Sequence, residues 1–258
     1  MIALFDSGMG GITVLREALD ALPCADFLYY ADTGHVPYGS RPRSDVAALV
    51  DAAVKRIYEA CDVQALLLAC NTATSVSVAS LRKIYDFPII GMEPAVKPAV
   101  EHENSRGKRV LVLATELTLK EKKFSGLVSL LDPAGIVDSV ALPRLVEFVE
   151  NSVLDGAGVV SYLRESFSHV NTSDYGTVVL GCTHFPFFRT AIKAFFPEGT
   201  DVIDGNAGTV RQLMRVSGIT CAGASASGTV SFLSSGELER DRARFDRLLK
   251  TYSEDLRP

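Results

Sequence analysis

The sequence predicts an α/β fold built as two pseudo-symmetric, mostly parallel α/β domains, with the active site in the cleft between them. Short apolar runs alternate with helical patterns along most of the 258 residues, and such alternation builds a parallel sheet covered by helices. Two of those runs close in nearly matching frames, Ala65-Leu66-Leu67-Leu68-Ala69-Cys70-Asn71-Thr72 and Thr177-Val178-Val179-Leu180-Gly181-Cys182-Thr183-His184. The strand ends also repeat in order. The interval from Asp6 to Cys70 nearly equals that from Thr115 to Cys182, and each cysteine precedes a further apolar run closing on an acid, Glu93 or Asp204. A duplicated unit explains all three observations.

Element by element, Ile2–Asp6, Phe27–Ala31, Ala65–Cys70 and Ile89–Gly91 read as strands of the first unit. Val110–Ala114, Ile136–Ala141, Val178–Cys182 and Val202–Asp204 read as strands of the second. Apolar residues recur at helical spacing in Arg43–Ala60, Val76–Tyr85, Val159–Phe167 and Phe187–Phe196. Thr229–Leu233 reads as a last strand and the charged, amphipathic Glu237–Tyr252 as a surface helix closing the fold. The expected division is residues 1–93 with 208–258 as the first domain and 94–207 as the second. No low-complexity linker separates them, so a tight interface is expected.

Composition narrows the function. At 47% hydrophobic and 22% charged residues, the chain can bury a core and is not disordered. A net charge of −5 without a basic block argues against a nucleic-acid partner. The apolar runs are too short to span a membrane. The first residues lack a signal-peptide pattern, and the chain enters almost at once on Asp6, so no regulatory N-terminal extension is expected. Five cysteines, an odd number without a CxxC pair, argue against a disulfide framework or a zinc site and for a reducing cytoplasm. No metal is expected.

Cysteine is commonly an inert packing residue, so each candidate thiol needs company. Cys70 and Cys182 have it, in duplicated frames followed by small polar groups, at the carboxyl ends of strands where α/β sites gather. Cys24, Cys61 and Cys221 lack it and are assigned to packing or surface. His184, two residues beyond Cys182, is placed to tune a thiol. Asp6-Ser7-Gly8-Met9-Gly10-Gly11 turns a strand into a helix and can offer backbone N–H groups to an anion; its spacing fits neither G-x-G-x-x-G nor a P-loop. Pro37-Tyr38-Gly39 is a turn near Asp32, and Thr115 with Thr118 combines helix capping with possible ligand contact. Glu147 and Glu150 share one helix face, and surface charge is the simpler account of at least one of them.

Together these motifs resemble the glutamate racemases of the cofactor-independent aspartate/glutamate racemase superfamily. Asp6-Ser7-Gly8-x-Gly10-Gly11, Asp32 with Pro37-Tyr38-Gly39, Ala69-Cys70-Asn71-Thr72-Ala73 and Gly181-Cys182-Thr183-His184-Phe185-Pro186 match in order across almost the whole chain. The resemblance implies interconversion of L- and D-glutamate without a cofactor, D-glutamate for bacterial peptidoglycan, and homodimers. It makes Cys70 and Cys182 the acid/base pair, assisted by Asp6 and His184, with Glu150 rather than Glu147 as the supporting acid. Asp6, Ser7, Pro37, Tyr38, Gly39, Asn71, Thr72, Thr115, Thr118, Thr183 and His184 are implied to hold the substrate. The chain departs from the pattern at Leu142 (often Cys), Ala114 (often Gly), Glu121 (often Ser), and Phe124 and Phe185 (often Tyr). The competing expectations are an aspartate racemase, a Cys182–His184 amidase or thiol transferase, and a non-enzymatic amino-acid binding module.

Overall fold

The computed structural model describes residues 1–104, 106–221 and 227–256. The first unit runs β1 (Ile2–Asp6), α1 (Ile12–Ala21), β2 (Phe27–Ala31), α2 (Arg43–Ala60), β3 (Ala65–Leu68), α3 (Asn71–Ile84) and β4 (Ile89–Gly91). The second runs α4 (Val96–Glu103), β5 (Arg109–Ala114), α5 (Glu116–Lys120), α6 (Lys122–Leu131), β6 (Val137–Ala141), α7 (Pro143–Glu150), α8 (Ala157–Ser166), β7 (Tyr175–Leu180), α9 (Arg189–Lys193) and β8 (Asp201–Asp204). The chain then continues through α10 (Asn206–Ser217), β9 (Val230–Ser234) and α11 (Leu238–Thr251).

Every strand pairing is parallel. The first sheet has the order β4-β3-β1-β2-β9 and the second β6-β5-β7-β8. Read from the other edge, the second is β8-β7-β5-β6, which repeats β4-β3-β1-β2 strand for strand. Duplication of one unit accounts for this identity, and β9 is an addition on the β2 edge. In each sheet the chain leaves the two central strands in opposite directions. That reversal opens a crevice at their carboxyl ends, the place where α/β sheets bind ligands. Asp6 and Cys70 flank the crevice of the first sheet, and Thr115 and Cys182 that of the second.

The central strands β1, β3, β5 and β7 are largely apolar because both sheet faces are covered there. Ala3, Leu4, Phe5, Leu66, Leu67, Leu111, Val112, Val178 and Val179 are all buried. One buried cluster joins Leu4, Met9 and Ile12 to Leu145, Leu180 and Phe187, so the units share a core. We propose the division at 93/94 with a return near 208. It is supported by α10 packing on α1 and by β9 pairing with β2.

Some element ends differ from expectation. Strand β3 stops at Leu68 and helix α3 starts at Asn71, earlier than the apolar spacing alone suggested, because Cys70 caps it: the sulfur accepts the Ala73 N–H at 3.5 Å. The cysteine is thus a helix cap rather than a strand residue. Likewise β7 ends at Leu180, short of Cys182. The helix expected at Phe187–Phe196 is a 3-10 turn, Phe185–Phe188, followed by the short α9. Cys24 and Cys221 are not simply packing or surface residues. They form a disulfide, with Cα atoms 5.6 Å apart. Adjacent packing of α1 and α10 brings the chain after each helix to the same place, a juxtaposition hidden by a sequence separation of 197.

Candidate active site

The cleft is narrow and is lined by Ser7, Tyr38, Gly39, Cys70, Asn71 and Thr72 from the first unit, and by Thr115, Val146, Gly181, Cys182, Thr183 and His184 from the second. Cys70 and Cys182 are both buried and both free thiols. They line one cavity from opposite sheets.

On the first wall, Ser7 Oγ lies 3.4 Å from Cys70 Sγ. Burial, the neighbouring Asp6 carboxyl and the Cys182 sulfur outweigh the hydrogen bonds from Ser7 and Ala73, and the Cys70 thiol is pushed up to about 12. Cys70 is therefore a proton-bearing thiol near neutral pH. Asp6 lies behind the loop and is fully buried. It accepts the N–H groups of Gly8 and Gly11 at 3.3 and 2.9 Å and the Thr183 hydroxyl at 3.3 Å. Burial raises its pKa against the pull of His184. It meets Cys70 through charge, while the direct contact to that sulfur is made by Ser7.

On the second wall, His184 Nδ1 lies 3.6 Å from Cys182 Sγ and Nε2 lies 2.8 Å from Glu150 Oε1. Burial opposes the imidazolium, but the Cys182 sulfur and the Glu150 carboxylate outweigh it and hold the pKa well above the usual histidine value. Glu150 ends α7, is buried beneath the ring, and also accepts the Met9 N–H at 2.7 Å. Glu147 is exposed on the outer face of the same helix.

Three hydroxyls close the floor where the units meet. Thr72 Oγ1 lies 3.0 Å from both Thr115 Oγ1 and Thr118 Oγ1, and those two lie 2.9 Å apart. Thr115 also caps α5. Asn71 is buried with both side-chain amide atoms unpartnered. A buried amide left open in this way is costly unless a ligand completes it. The Tyr38 hydroxyl donates to the buried Asp32 carboxylate, so the ring, not a free phenol, faces the cleft.

Pro37 is placed differently from the expectation. It lines an outer groove with Val36, Glu147 and Arg240 rather than the cleft, because the turn carries only Tyr38 and Gly39 inward. Thr118 reaches the cleft through the hydroxyl triangle alone. Val146 and Arg244, which lies beside Glu150, are not among the residues that the sequence motifs single out, and Gly181 belongs to the Cys182 motif without being expected in the cleft lining. Val146 sits one helical turn before Glu150, and that spacing was the available signal. A trio of possible metal ligands, His102, Glu103 and Asp201, gathers at the opposite edge of the second sheet. The Arg106 guanidinium stands among them, 2.8 to 3.3 Å from each, so a cation is already in place.

The sequence matches the Asp/Glu/Hydantoin racemase family over residues 15–213. The chain belongs to that family. Among similar curated proteins, the glutamate racemase of Halothermothrix orenii is 48% identical over 99% of this chain and 98% of its own length. Glutamate racemase 2 of Bacillus subtilis is 43% identical over 99% of this chain and 97% of its own. The fold matches that of Escherichia coli glutamate racemase, solved in complex with L-glutamate and activator UDP-MurNAc-ala, with a TM-score of 0.83 at 27% identity, covering 97% and 94% of the two chains. As a member of this racemase family the chain is an isomerase.

Proposed function

We infer that this protein is a glutamate racemase that inverts the α-carbon with two opposed cysteines and no cofactor. The carrying observation is the pair of free thiols on facing walls of one closed cleft, each with its own polar support. Near full-length identity of 48% to a glutamate racemase agrees with it.

Inversion requires a proton to leave one face of the carbon and another to arrive at the opposite face. Bases on two walls achieve this without turning the carbanion. In one direction, a thiolate takes the α-hydrogen: the C–H bond breaks, an S–H bond forms, and the electron pair spreads into the α-carboxylate. The opposite thiol then delivers its proton to carbon and becomes the thiolate. Cys70, held as a thiol, is the proton donor of the resting state. The other sulfur is the base, beside the cationic His184. Asp6, through its charge at Cys70, and His184, through its contact with Cys182, bias which sulfur holds the proton and so restore the starting state.

The developing charge falls on neutral donors. Asn71, Thr72, Thr115 and Thr183, with backbone N–H groups at Ser7 and Gly39, line the cleft to receive the carboxylates of the substrate, and Thr118 backs Thr72 and Thr115. This fits an anionic amino acid better than a phosphate or a nucleic acid.

We also propose that the product D-glutamate serves peptidoglycan synthesis, in the cytoplasm, and that the protein works as a homodimer. Among the described residues no helix is long and apolar enough to cross a membrane. Circular dichroism of L-glutamate with pure protein and no added cofactor tests the function. Loss of signal with glutamate and much less with aspartate supports it; unchanged glutamate beside active aspartate turnover, or tight binding without turnover, replaces it. Sedimentation equilibrium decides the dimer.

A further inference from the structure

Glu150 carries more partners than a mere neighbour of His184 needs. Its Oε1 is shared by His184 Nε2 and the Met9 N–H. Its other oxygen lies 3.1 Å from Arg244 Nη2, a charge contact without hydrogen-bond alignment. Arg244 Nη1 donates to the Glu150 carbonyl at 2.6 Å. That carbonyl belongs to the last turn of α7, where a cation offsets both the unpaired C=O groups and the helix dipole. Arg244 is itself braced. Its side chain is only 13% exposed, and Asp241 Oδ1 stands 3.4 Å from Nη2. Asp241 is buried and accepts hydroxyl hydrogen bonds from Thr33 and Ser234.

These contacts form one line from the added C-terminal segment to a reacting sulfur: Asp241, Arg244, Glu150, His184, Cys182. An isolated carboxylate buried beside a histidine has two oxygens and several rotamers to choose from. Arginine's rigid fork, gripping both backbone and side chain of one residue, removes that choice. The cost of leaving a buried charge unpaired keeps the fork in place. On the first wall, among the described residues, the Cys70 sulfur is instead contacted directly by Ser7 and Ala73.

We propose that Arg244 is a positioning residue for proton transfer at Cys182, aiming the His184 ring by fixing Glu150. The proposal rests on the racemase reading for its kinetic consequences but not for the contacts themselves. It assigns α11 a role in catalysis as well as in closing the fold.

The test uses the full chain with Arg244→Met and Arg244→Lys, their folding checked by circular dichroism and thermal melting. Racemisation kcat/KM is expected to fall by about tenfold to a hundredfold in Arg244→Met, with part recovered in Arg244→Lys. The loss must be equal in both directions, because the enantiomers have equal energies. The discriminating readout is the deuterium isotope effect with each α-deuterated enantiomer. It should rise for the enantiomer that yields its deuteron to Cys182 and fall for the other, in the same sense as in His184→Gln. A loss of rate with both isotope effects unmoved, or parental kcat/KM in Arg244→Met, overturns the proposal.

A second measurement needs no turnover. Iodoacetamide labelling, mapped by mass spectrometry, should slow about tenfold at Cys182 in Arg244→Met while Cys70 keeps its parental rate. Equal changes at both thiols, or none, contradict the proposal. If the parent fails to racemise glutamate while Cys182 labelling still responds, the function reading falls and the wiring stands. If Arg244→Met does not fold, Arg244→Lys serves for both measurements, since it keeps the charge and loses the fork.

Discussion

Gly10 of the first unit lies against the His184 ring of the second: a Cβ on Gly10 would stand 2.3 Å from Nδ1 and 2.6 Å from Cε1. Gly8 does the same for Glu150, where a Cβ would stand 2.1 Å from Oε1. The glycines of the first loop therefore admit the opposite wall. They are not phosphate cradles, and their spacing follows the contacts of His184 and Glu150.

Gly10→Ala should accordingly separate the walls rather than unfold the first unit. The imidazole is buried and boxed in, so it has no free rotamer to retreat into. We expect kcat/KM to fall by about a hundredfold or more, with the far-ultraviolet dichroism of the parent retained. Parental activity in Gly10→Ala would mean that the ring position is not critical.

Asn71 poses a different test. Its amide is buried with both polar atoms open, so in the free protein it is a stability cost held for ligand binding. Asn71→Leu should keep or raise the melting temperature while raising KM for glutamate by about tenfold or more. A fall in melting temperature with unchanged KM would show that the amide serves the fold.

The Cys70 thiol, lifted from an ordinary 9.0 to about 12, predicts both reactivity and stability. Labelling of Cys70 should keep rising through pH 10 without the plateau of an ordinary thiol. The sign for stability follows from the raised folded value. The contribution is fully present below about pH 9, where the unfolded thiol is also protonated, and it is lost as pH rises toward about 12. Denaturant unfolding of the parent should weaken more between pH 8 and pH 10.5 than that of Cys70→Ala. A labelling plateau below pH 9 would contradict the assignment of Cys70 as the resting proton donor.

Much of this was legible from residue patterns because parallel sheets write strongly into sequence. Runs buried on both faces, with functional groups at their carboxyl ends, exposed β1, β3, β5 and β7 and the duplicated order. The residues at Cys70, Cys182, Asp6, Ser7, Asn71, Thr72, Thr115, Thr183 and His184 sit at or next to those ends, which is why local motifs found them. Contacts made by distant segments left no such trace. The Cys24–Cys221 bond depends on α1 lying beside α10, and Arg244 reaches Glu150 from a helix that reads as an ordinary charged surface segment. The Pro37-Tyr38-Gly39 turn was found as a unit, but which of its residues faces inward is a matter of backbone direction that composition does not encode.

The opposed-thiol mechanism meets its most direct test in D₂O. L-glutamate is given to the pure protein, the reaction is stopped at a few per cent conversion, and each enantiomer is separated and weighed for α-deuterium. The two-wall account predicts D-glutamate carrying one deuterium and residual L-glutamate that is still protiated, with the mirror result from D-glutamate. Protium retained in the product, or deuterium appearing in the unreacted enantiomer as fast as in the product, would mean that a single base serves both faces.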